Sequence, residues 1–455
     1  MRRFSQLIIV ALFVGISLPA LATNGYFTHG IGTKNKSMAG AGTALPEDAI
    51  DMVNNPAVAT EVGDQLTFGI ALFSPDRKYS TSTSQLNGQY GAFTIGPNNL
   101  KSDNDYFFIP HVARTWQLDN GNALGVAFYG RGGMNTTWNG GTATFDPDGP
   151  GPAPVMTLPG TYGAGRAGVD LNQALLDLTW AKAFDDRFSI GLTGILAAQR
   201  FKAYGVGTFA GFTETFAASG GTVFPQDLSN NGADWSYGYG FKFGVFFKIS
   251  DQWSTGVSYQ TKLNMGDFKK YSDLFAQQGG FDIPAVLKFG LTFKPSDTLA
   301  LSFDIENTWF GGVDSVGNSI ALIFACPTAG QGGTTLSNCL GGDTGAGFGW
   351  DTMTTYKAGM AITAGPDWTW RLGYSYGKQP IPDSQMTFNI LAPAVMQSHL
   401  TAGFTLSRVP GREWNVAMMY APNHKVTGPQ NFDPTQTVSF EMHQWELEVS
   451  YGWRF

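Results

Sequence analysis

Residues 444–455 read QWELEVSYGWRF and alternate between two kinds of side chain. Apolar or aromatic residues stand at 445, 447, 449, 451, 453 and 455, and polar residues or glycine stand between them. A period of two is typical of a β-strand whose two faces meet different surroundings. The stretch therefore predicts a strand with one apolar, aromatic face and one polar face.

The same alternation recurs in residues 235–249, WSYGYGFKFGVFFKI. A soluble sandwich also alternates, but its apolar face lies in the core and its outward face carries charge. Here the polar face is rich in glycine and serine, and charged residues make up only 14% of the chain, against about 25% in soluble globular domains. We interpret the apolar row as lipid-facing, which puts Phe243, Val245 and Leu447 on the outside of a membrane protein.

Segments of this kind recur along the chain, and we count fourteen of them. They lie at about 65–79, 106–118, 122–136, 173–184, 187–202, 235–249, 252–261, 283–294, 298–310, 352–364, 367–376, 398–407, 412–421 and 443–455. Short turns between them alternate with long loops, as in bacterial outer-membrane barrels, which have an even number of strands. Closure is needed because hydrocarbon offers no partner to a free sheet edge. The predicted fold is an all-β, transmembrane, antiparallel 14-stranded β-barrel in the bacterial outer membrane.

Composition and charge exclude several other classes of protein. A net charge of −7 without clusters of lysine or arginine disfavours nucleic acid as a partner. One long apolar run, residues 7–21, is too little for a polytopic helical transporter. The run follows Arg2 and Arg3 and ends in Ala-Leu-Ala at 20–22, so we assign residues 1–22 to a secretory signal peptide. A single membrane anchor is the alternative.

Residues 23–64 show no sustained period of two and are too few to bury a core of their own. A separate element at the head of a 14-stranded ring, whose lumen is wide, is expected to fill that lumen. The predicted organisation is a signal peptide (1–22), an N-terminal hatch or plug (23–64) and a transmembrane barrel (65–455).

The N-terminal element carries short motifs. They are NGYF at 24–27, AGAG at 39–42, Asp48-Ala49, and Asn55-Pro56-Ala57. Together with the barrel behind them, they resemble the long-chain fatty acid channel (FadL) family, which includes outer-membrane channels for aromatic hydrocarbons (TodX-type). The resemblance implies a hatch inside the barrel and an inward kink in the third strand that opens a hole in the wall, with the Asn55-Pro56-Ala57 element nearby.

If the chain follows that pattern, the kink falls in the strand at 122–136. We place it at Gly130, Arg131, Gly132 and Gly133, because glycine within a strand often marks a bulge or a close backbone approach. The alternative is that these glycines only suit a crowded lumen.

Several side chains are candidates for contact with a substrate. Tyr26 and Phe27 lie in the hatch, and Phe209, Phe212, Phe216 and Phe224 lie in one long loop. The loop residues could form an apolar capture groove, or they could pack the loops on one another. Lys34 and Lys36 depart from the family pattern, and with Arg131 they are candidates to bind a carboxylate. Solvated charge, or charge paired within the lumen, is the alternative.

Cys326 and Cys339 fall in one long loop, and we expect a disulfide because exported chains favour such bonds. Metal binding is the minor alternative, since no histidine lies near them. The histidines are scattered and the Gly-x-Ser-x-Gly motif of hydrolases is missing, so we expect no enzyme, no cofactor, no metal and no catalytic residue.

The predicted function is a channel for passive uptake of hydrophobic compounds such as long-chain fatty acids, alkanes or aromatics. The steps expected are capture by the loops, gating by the hatch and lateral release at the kinked third strand. The expected partners are these small molecules, outer-membrane lipid, and the barrel assembly machinery acting on the C-terminal strand that ends in Phe455, with the chain itself a monomer. The alternative function is a structural or adhesive barrel with a plugged lumen.

Overall fold

The structure is a computed structural model that describes residues 24–146 and 154–455. The predicted signal peptide lies outside the described residues. Fourteen long strands form the main sheet. They are β1 Gln65–Thr81, β2 Phe107–Gln117, β3 Asn122–Trp138, β4 Ala167–Ala183, β5 Phe188–Tyr204, β6 Asp234–Lys248, β7 Trp253–Gln260, β8 Val286–Ser296, β9 Leu299–Thr308, β10 Met353–Ala364, β11 Trp368–Gly377, β12 Ser398–Val409, β13 Arg412–Gln430 and β14 Asp433–Arg454.

Each strand pairs antiparallel with its neighbours in sequence, and β14 pairs with β1 from Gln65↔Arg454 to Thr81↔Val438. The sheet is therefore a closed barrel of 14 strands, which confirms the predicted fold class. The last hairpin is longer than predicted, because β13 and β14 continue to the two-residue turn Asn431–Phe432. The alternation breaks where the β13–β14 register shifts between Ala421 and His424, so the sequence pattern ended there while the hydrogen bonding continued.

The apolar rows lie on the outside of the barrel. The exposed fractions of Phe243, Val245 and Leu447 are 51%, 40% and 42%, although all three side chains are apolar. Large apolar side chains that stay this exposed in alternate positions of a closed barrel indicate contact with lipid.

The strands are connected by short turns at one end of the barrel and by longer loops at the other, except for the turn at Asn431–Phe432. The loops hold short strands at Thr94–Ile95, Asn99–Lys101, Thr142–Phe145, Met156–Pro159 and Asn264–Met265. Short helical segments lie at Thr33–Ser37, Ala49–Val53, Pro56–Thr60, Asp119–Gly121, Gly207–Phe212, Glu214–Ala218, Lys269–Tyr271, Ala276–Gly279, Phe310–Gly312, Asp314–Gly317, Ile320–Ala325, Pro327–Ala329, Leu336–Asn338 and Phe388–Ile390. Within the described ranges, no helix has the length and apolar character needed to span a membrane.

The long loops pack over the lumen around a group of aromatic rings. Phe209 lies 5.2 Å from Phe388 and 5.9 Å from Phe432, measured between ring centroids. The predicted disulfide between Cys326 and Cys339 is confirmed and packs against Ala217 of the neighbouring loop. The loops therefore cover the lumen at the end opposite the short turns.

Candidate functional site

The N-terminal segment, residues 24–64, packs against inward-facing side chains of the barrel wall. From residue 24 to residue 59, all side chains except Pro46 and Glu47 are buried. Buried ion pairs join the segment to inward-facing carboxylates of the wall: Lys36 lies 2.8 Å from Glu446 and 2.6 Å from Glu448. Lys34 lies 2.5 Å from Glu413, so the two lysines bind the barrel and are not free to bind a carboxylate substrate.

Other contacts hold the segment on the opposite wall. The backbone N–H groups of Gly42 and Thr43 donate to the Asp304 carboxylate, at 3.1 and 2.8 Å. Burial, with the neighbouring carboxylates of Asp48 and Glu47, raises the pKa of Asp51 to about 8. Asp51 is therefore mostly neutral at neutral pH, and it accepts hydrogen bonds from the Glu47 and Asp48 backbone.

Asn55-Pro56-Ala57 begins a short helix and fixes the segment on β6. The Asn55 amide donates to the carbonyl oxygens of Thr43 and Val245, at 3.1 and 3.0 Å. A Cβ atom on Gly244 of β6 would lie 2.2 Å from the Asn55 side-chain oxygen, so glycine is needed for this approach.

The Asn55-Pro56-Ala57 element is expected near the kink, and it lies level with the start of β3. The helix that begins at Pro56 contacts β3, β4, β5 and β6. Its neighbour on β5, Gly191, is level with Ala123 near the start of β3, because both pair with Ala181. The adjacent residues Val53 and Asn54 approach the kink across a small cavity that they line together with Arg131. The turn is held at the short-turn end by its bond to β6, and its expected nearness to the kink stays a prediction.

The barrel wall has a gap between β2 and β3. Pairing of these strands ends at His111↔Tyr129, whereas β3 continues to Trp138 and pairs there only with β4. The β3–β4 register shifts between Gly130 and Gly132, which makes Arg131 the extra residue of a β-bulge. A bulge bends its strand, and this one lies within the four residues singled out in the sequence. We call the opening between residues 107–110 and 130–136 the wall gap.

Residues 26–28 close the lower part of the wall gap from inside. The N–H of Gly133 donates to the Tyr26 carbonyl at 2.9 Å, and the N–H of Thr28 donates to the Arg131 carbonyl at 3.3 Å. A Cβ atom on Gly132 would lie 2.2 Å from the Tyr26 carbonyl oxygen, so only glycine permits this pairing. The Arg131 guanidinium lies 4.0 Å from the centre of the Phe27 ring.

Arg77 of β1 closes the upper part of the wall gap. Its guanidinium donates to the carbonyl oxygens of Asn135 on β3 and Asn104 in the loop before β2. Above it, the N–H of Asp103 donates to the Thr137 carbonyl at 3.1 Å. The backbone groups that β3 leaves free of β2 are thus partnered by the N-terminal segment, an arginine and a loop.

A cavity of about 40 Å³ lies directly behind the wall gap. Most of its lining is apolar, with Phe73 from β1, Met134 from β3 and Met442 from β14. A larger and more polar cavity, of about 450 Å³, lies at the short-turn end beside Glu47, Arg371 and Glu413. The first cavity is thus mostly apolar and lies beside the wall gap, whereas the second is lined by charged side chains at the short-turn end.

Arg131 differs from Lys34 and Lys36, which form ion pairs with carboxylates of the wall. Its Nε atom is buried without a hydrogen-bond partner in the described part of the chain. Two further cations, Lys242 and Lys288, line the same small cavity of about 10 Å³. Their carboxylates are Asp177, 2.9 Å from Lys242, and Glu306, 3.2 Å from Lys288. This part of the lumen therefore keeps positive charge in excess.

The four loop phenylalanines do not form one groove. Phe209 is buried, with 3% exposed, and Phe212 contacts Phe432 at 5.7 Å, so both pack the loops. Phe216 and Phe224 form a separate pair 5.2 Å apart, with Phe224 63% exposed.

Sequence reasoning missed Arg77, Phe73 and Met442 at the wall gap. The pairings of β1 with β2 and with β14 bring these residues near β3, and no local pattern signals that.

Comparison with known proteins decides the family. A family model described as "Outer membrane protein transport protein (OMPP1/FadL/TodX)" matches residues 156–451, more than half of the chain. The chain belongs to this family. Membership of the OMPP1/FadL/TodX family confirms the predicted resemblance and the outer-membrane location, and it places the protein among outer-membrane transport proteins.

Solved structures share the barrel. The toluene transporter TodX of P. putida is 15% identical, covers 94% of this chain and 99% of its own, and has a TM-score of 0.62. A Pseudomonas aeruginosa FadL homologue is 16% identical over 95% of this chain and 100% of its own, with a TM-score of 0.63. The Ralstonia pickettii toluene transporter TbuX is 15% identical over 94% and 99%, with a TM-score of 0.59. At these identities the likeness establishes the fold alone, and no curated protein matches the chain.

Proposed function

We propose that this OMPP1/FadL/TodX family member takes up hydrophobic compounds passively and releases them sideways into the membrane through the wall gap. The observation that carries the proposal is the end of β2–β3 pairing at His111↔Tyr129, with a largely apolar cavity directly behind it. The free energy of an apolar solute falls when the solute leaves water for lipid. The charged cavity at the short-turn end offers no such decrease. The solved relatives named as toluene transporters point to the same class of substrate.

We assign residues 23–64 the role of a hatch whose gating motion is local. Breaking a buried ion pair costs roughly 3–5 kcal/mol, and Lys34 and Lys36 both form such pairs with the wall. Expelling the whole segment would therefore be slow. Residues 26–28 are held at β3 by two backbone hydrogen bonds and ring contacts, so they are the part that moves most readily.

One observation favours a substrate with a carboxylate at one end. Arg131 is buried at the bulge with a free Nε atom, and Lys242 and Lys288 lie across the adjoining cavity. Arginine in a water-poor site binds carboxylates well. A long-chain fatty acid would place its head here and its chain against Phe27 and the apolar cavity, while alkanes and aromatics would use the apolar part alone.

The structural or adhesive alternative is disfavoured because a barrel that only displays loops needs no opening in its wall. We further propose that the protein works as a monomer, since one chain closes the sheet. The assembly machinery would recognise β14, which precedes Phe455.

An uptake assay tests the proposed function. Bacterial cells that lack the chain are compared with the same cells complemented by it, using a labelled long-chain fatty acid, an alkane and toluene. We expect uptake of at least one of the three to rise about tenfold or more on complementation, with uptake of a polar sugar as the unchanged control. Equal uptake of all three by both strains would overturn the proposal.

A further inference from the structure

We propose that a patch on the outside of the barrel, formed by Arg166, Arg200, Lys202 and Tyr204, binds the phosphate groups of an outer-leaflet glycolipid. We call it the basic patch. This site is separate from the lumen and goes beyond the transport function.

The basic patch lies at the height of the outer membrane surface. On β5 the exposed side chains Leu192 and Leu196 belong to one outward row, and Arg200 and Lys202 continue that row toward the long-loop end. An apolar band of about 25 Å flanked by aromatic residues is typical of such barrels. Trp235, the partner of Arg200 on β6, is exposed and marks the upper edge of the band.

The patch is held in place by Asp170 of β4. The Asp170 carboxylate lies 2.9 Å from Arg200 and 3.5 Å from Lys202. The amide of Asn172 donates to it at 2.8 Å. The Arg166 guanidinium lies 4.8 Å from the Tyr204 ring centre, and the Lys202 ammonium lies 6.0 Å from the same ring. The three cations of the patch thus lie around the Asp170 carboxylate and the Tyr204 ring. The patch therefore carries two more positive charges than negative ones.

Charge on the β1–β2 side, at a similar distance from the short-turn end, is balanced. On the β1–β2 side, Lys78 and Lys101 face Asp76 and Asp105, with Lys101 2.7 Å from Asp76. The β4–β5 side therefore differs from the β1–β2 side in its excess of positive charge. It faces lipid instead of a loop or the lumen, so the complementary partner is an anionic lipid head group at the membrane surface.

The basic patch adjoins the wall gap. The Tyr204 hydroxyl donates to the Thr136 carbonyl at 2.9 Å, on the part of β3 that has left β2. A glycolipid bound at the patch would therefore pack beside the outer border of the gap.

Binding of lipid A to the purified full-length protein tests the proposal. The variant Arg166→Gln with Lys202→Gln removes two cations and keeps the Arg200–Asp170 pair. The variant Lys78→Gln with Lys101→Gln removes two cations elsewhere and is the matched control. Diphosphoryl lipid A, dephosphorylated lipid A and inorganic phosphate are the probes, native mass spectrometry is the readout, and heat-modifiable electrophoretic mobility verifies folding.

We expect diphosphoryl lipid A to bind the patch variant at least about tenfold more weakly than the wild type, since the variant loses two of the three cations that face the anionic lipid surface. The control variant should bind as the wild type does, dephosphorylated lipid should bind weakly to all three proteins, and millimolar phosphate should not displace the lipid. Equal binding by wild type and patch variant, an equal loss in both variants, or displacement by inorganic phosphate would overturn the proposal.

Discussion

Deleting Arg131 is expected to lower uptake of hydrophobic compounds by at least about tenfold while the barrel stays folded. Arg131 is the one extra residue of the bulge, since β3 and β4 pair in register up to Gly130 and again from Gly132. Without Arg131, the pairing of β3 with β4 continues in a single register. The residues after the deletion still point to the same sides of the sheet, because a bulge places two residues opposite one. The straightened β3 could then pair with β2 past Tyr129 and fill the wall gap.

The matched control is Arg131→Ala, which removes the guanidinium but keeps the extra residue. It should retain uptake of alkanes and aromatics and lose only the advantage of a carboxylate-bearing substrate. Rates are measured with labelled compounds in complemented cells, and folding is verified by heat-modifiable mobility. Unchanged uptake in the deletion variant would place the exit elsewhere.

Deleting residues 23–64 is expected to raise single-channel conductance by at least about tenfold. In the intact protein residues 24–59 are buried except for Pro46 and Glu47, and on our proposal the segment fills the lumen. An eight-stranded barrel is filled by its own side chains, whereas one of 16 strands holds an aqueous channel. The emptied 14-stranded barrel should therefore conduct ions past carboxylates such as Glu446 and Glu448.

The full-length protein in the same planar bilayer is the reference for this measurement. A second variant, Lys36→Met, leaves Glu446 and Glu448 without their cation and should raise conductance to a smaller degree. If the deletion variant conducts no more than the full-length chain, the segment is not what blocks the lumen.

The strands were predictable because each carries its own signal. The lipid-facing row, which includes Phe243 and Val245, runs without a break along its strand. A period of two can be recognised within one strand, without knowing which strand pairs with it. The exception is the end of β13, where the register shift after Ala421 interrupts the row although the strand continues.

The site was predictable only in part, because its residues come from distant positions. The glycines around Arg131 signalled a bulge locally. The closure of the wall gap depends on Arg77 and on residues 26–28, which reach β3 only through the fold. The pairing of Lys34 and Lys36 could not be read from the sequence because their partners, Glu413, Glu446 and Glu448, lie roughly four hundred residues away.

The loops were the least predictable region. Four phenylalanines in one loop have the same composition whether they form a groove or a packed cluster. Burial separates them, since Phe209 lies within the aromatic cluster and Phe224 stands at the surface. The contacts that decide this come from other loops, for example from Phe388 and Phe432.

Photolabelling in intact cells tests lateral release most directly. A hydrophobic probe with a photoreactive group is supplied during uptake, and the labelled residues are identified by mass spectrometry. Lateral release predicts labels on Phe73, Met134 and Met442 behind the wall gap and on Phe108 at its lipid-facing border. Labels confined to the charged cavity at the short-turn end, beside Glu47 and Arg371, would show that the compound leaves along the barrel axis and would contradict the account.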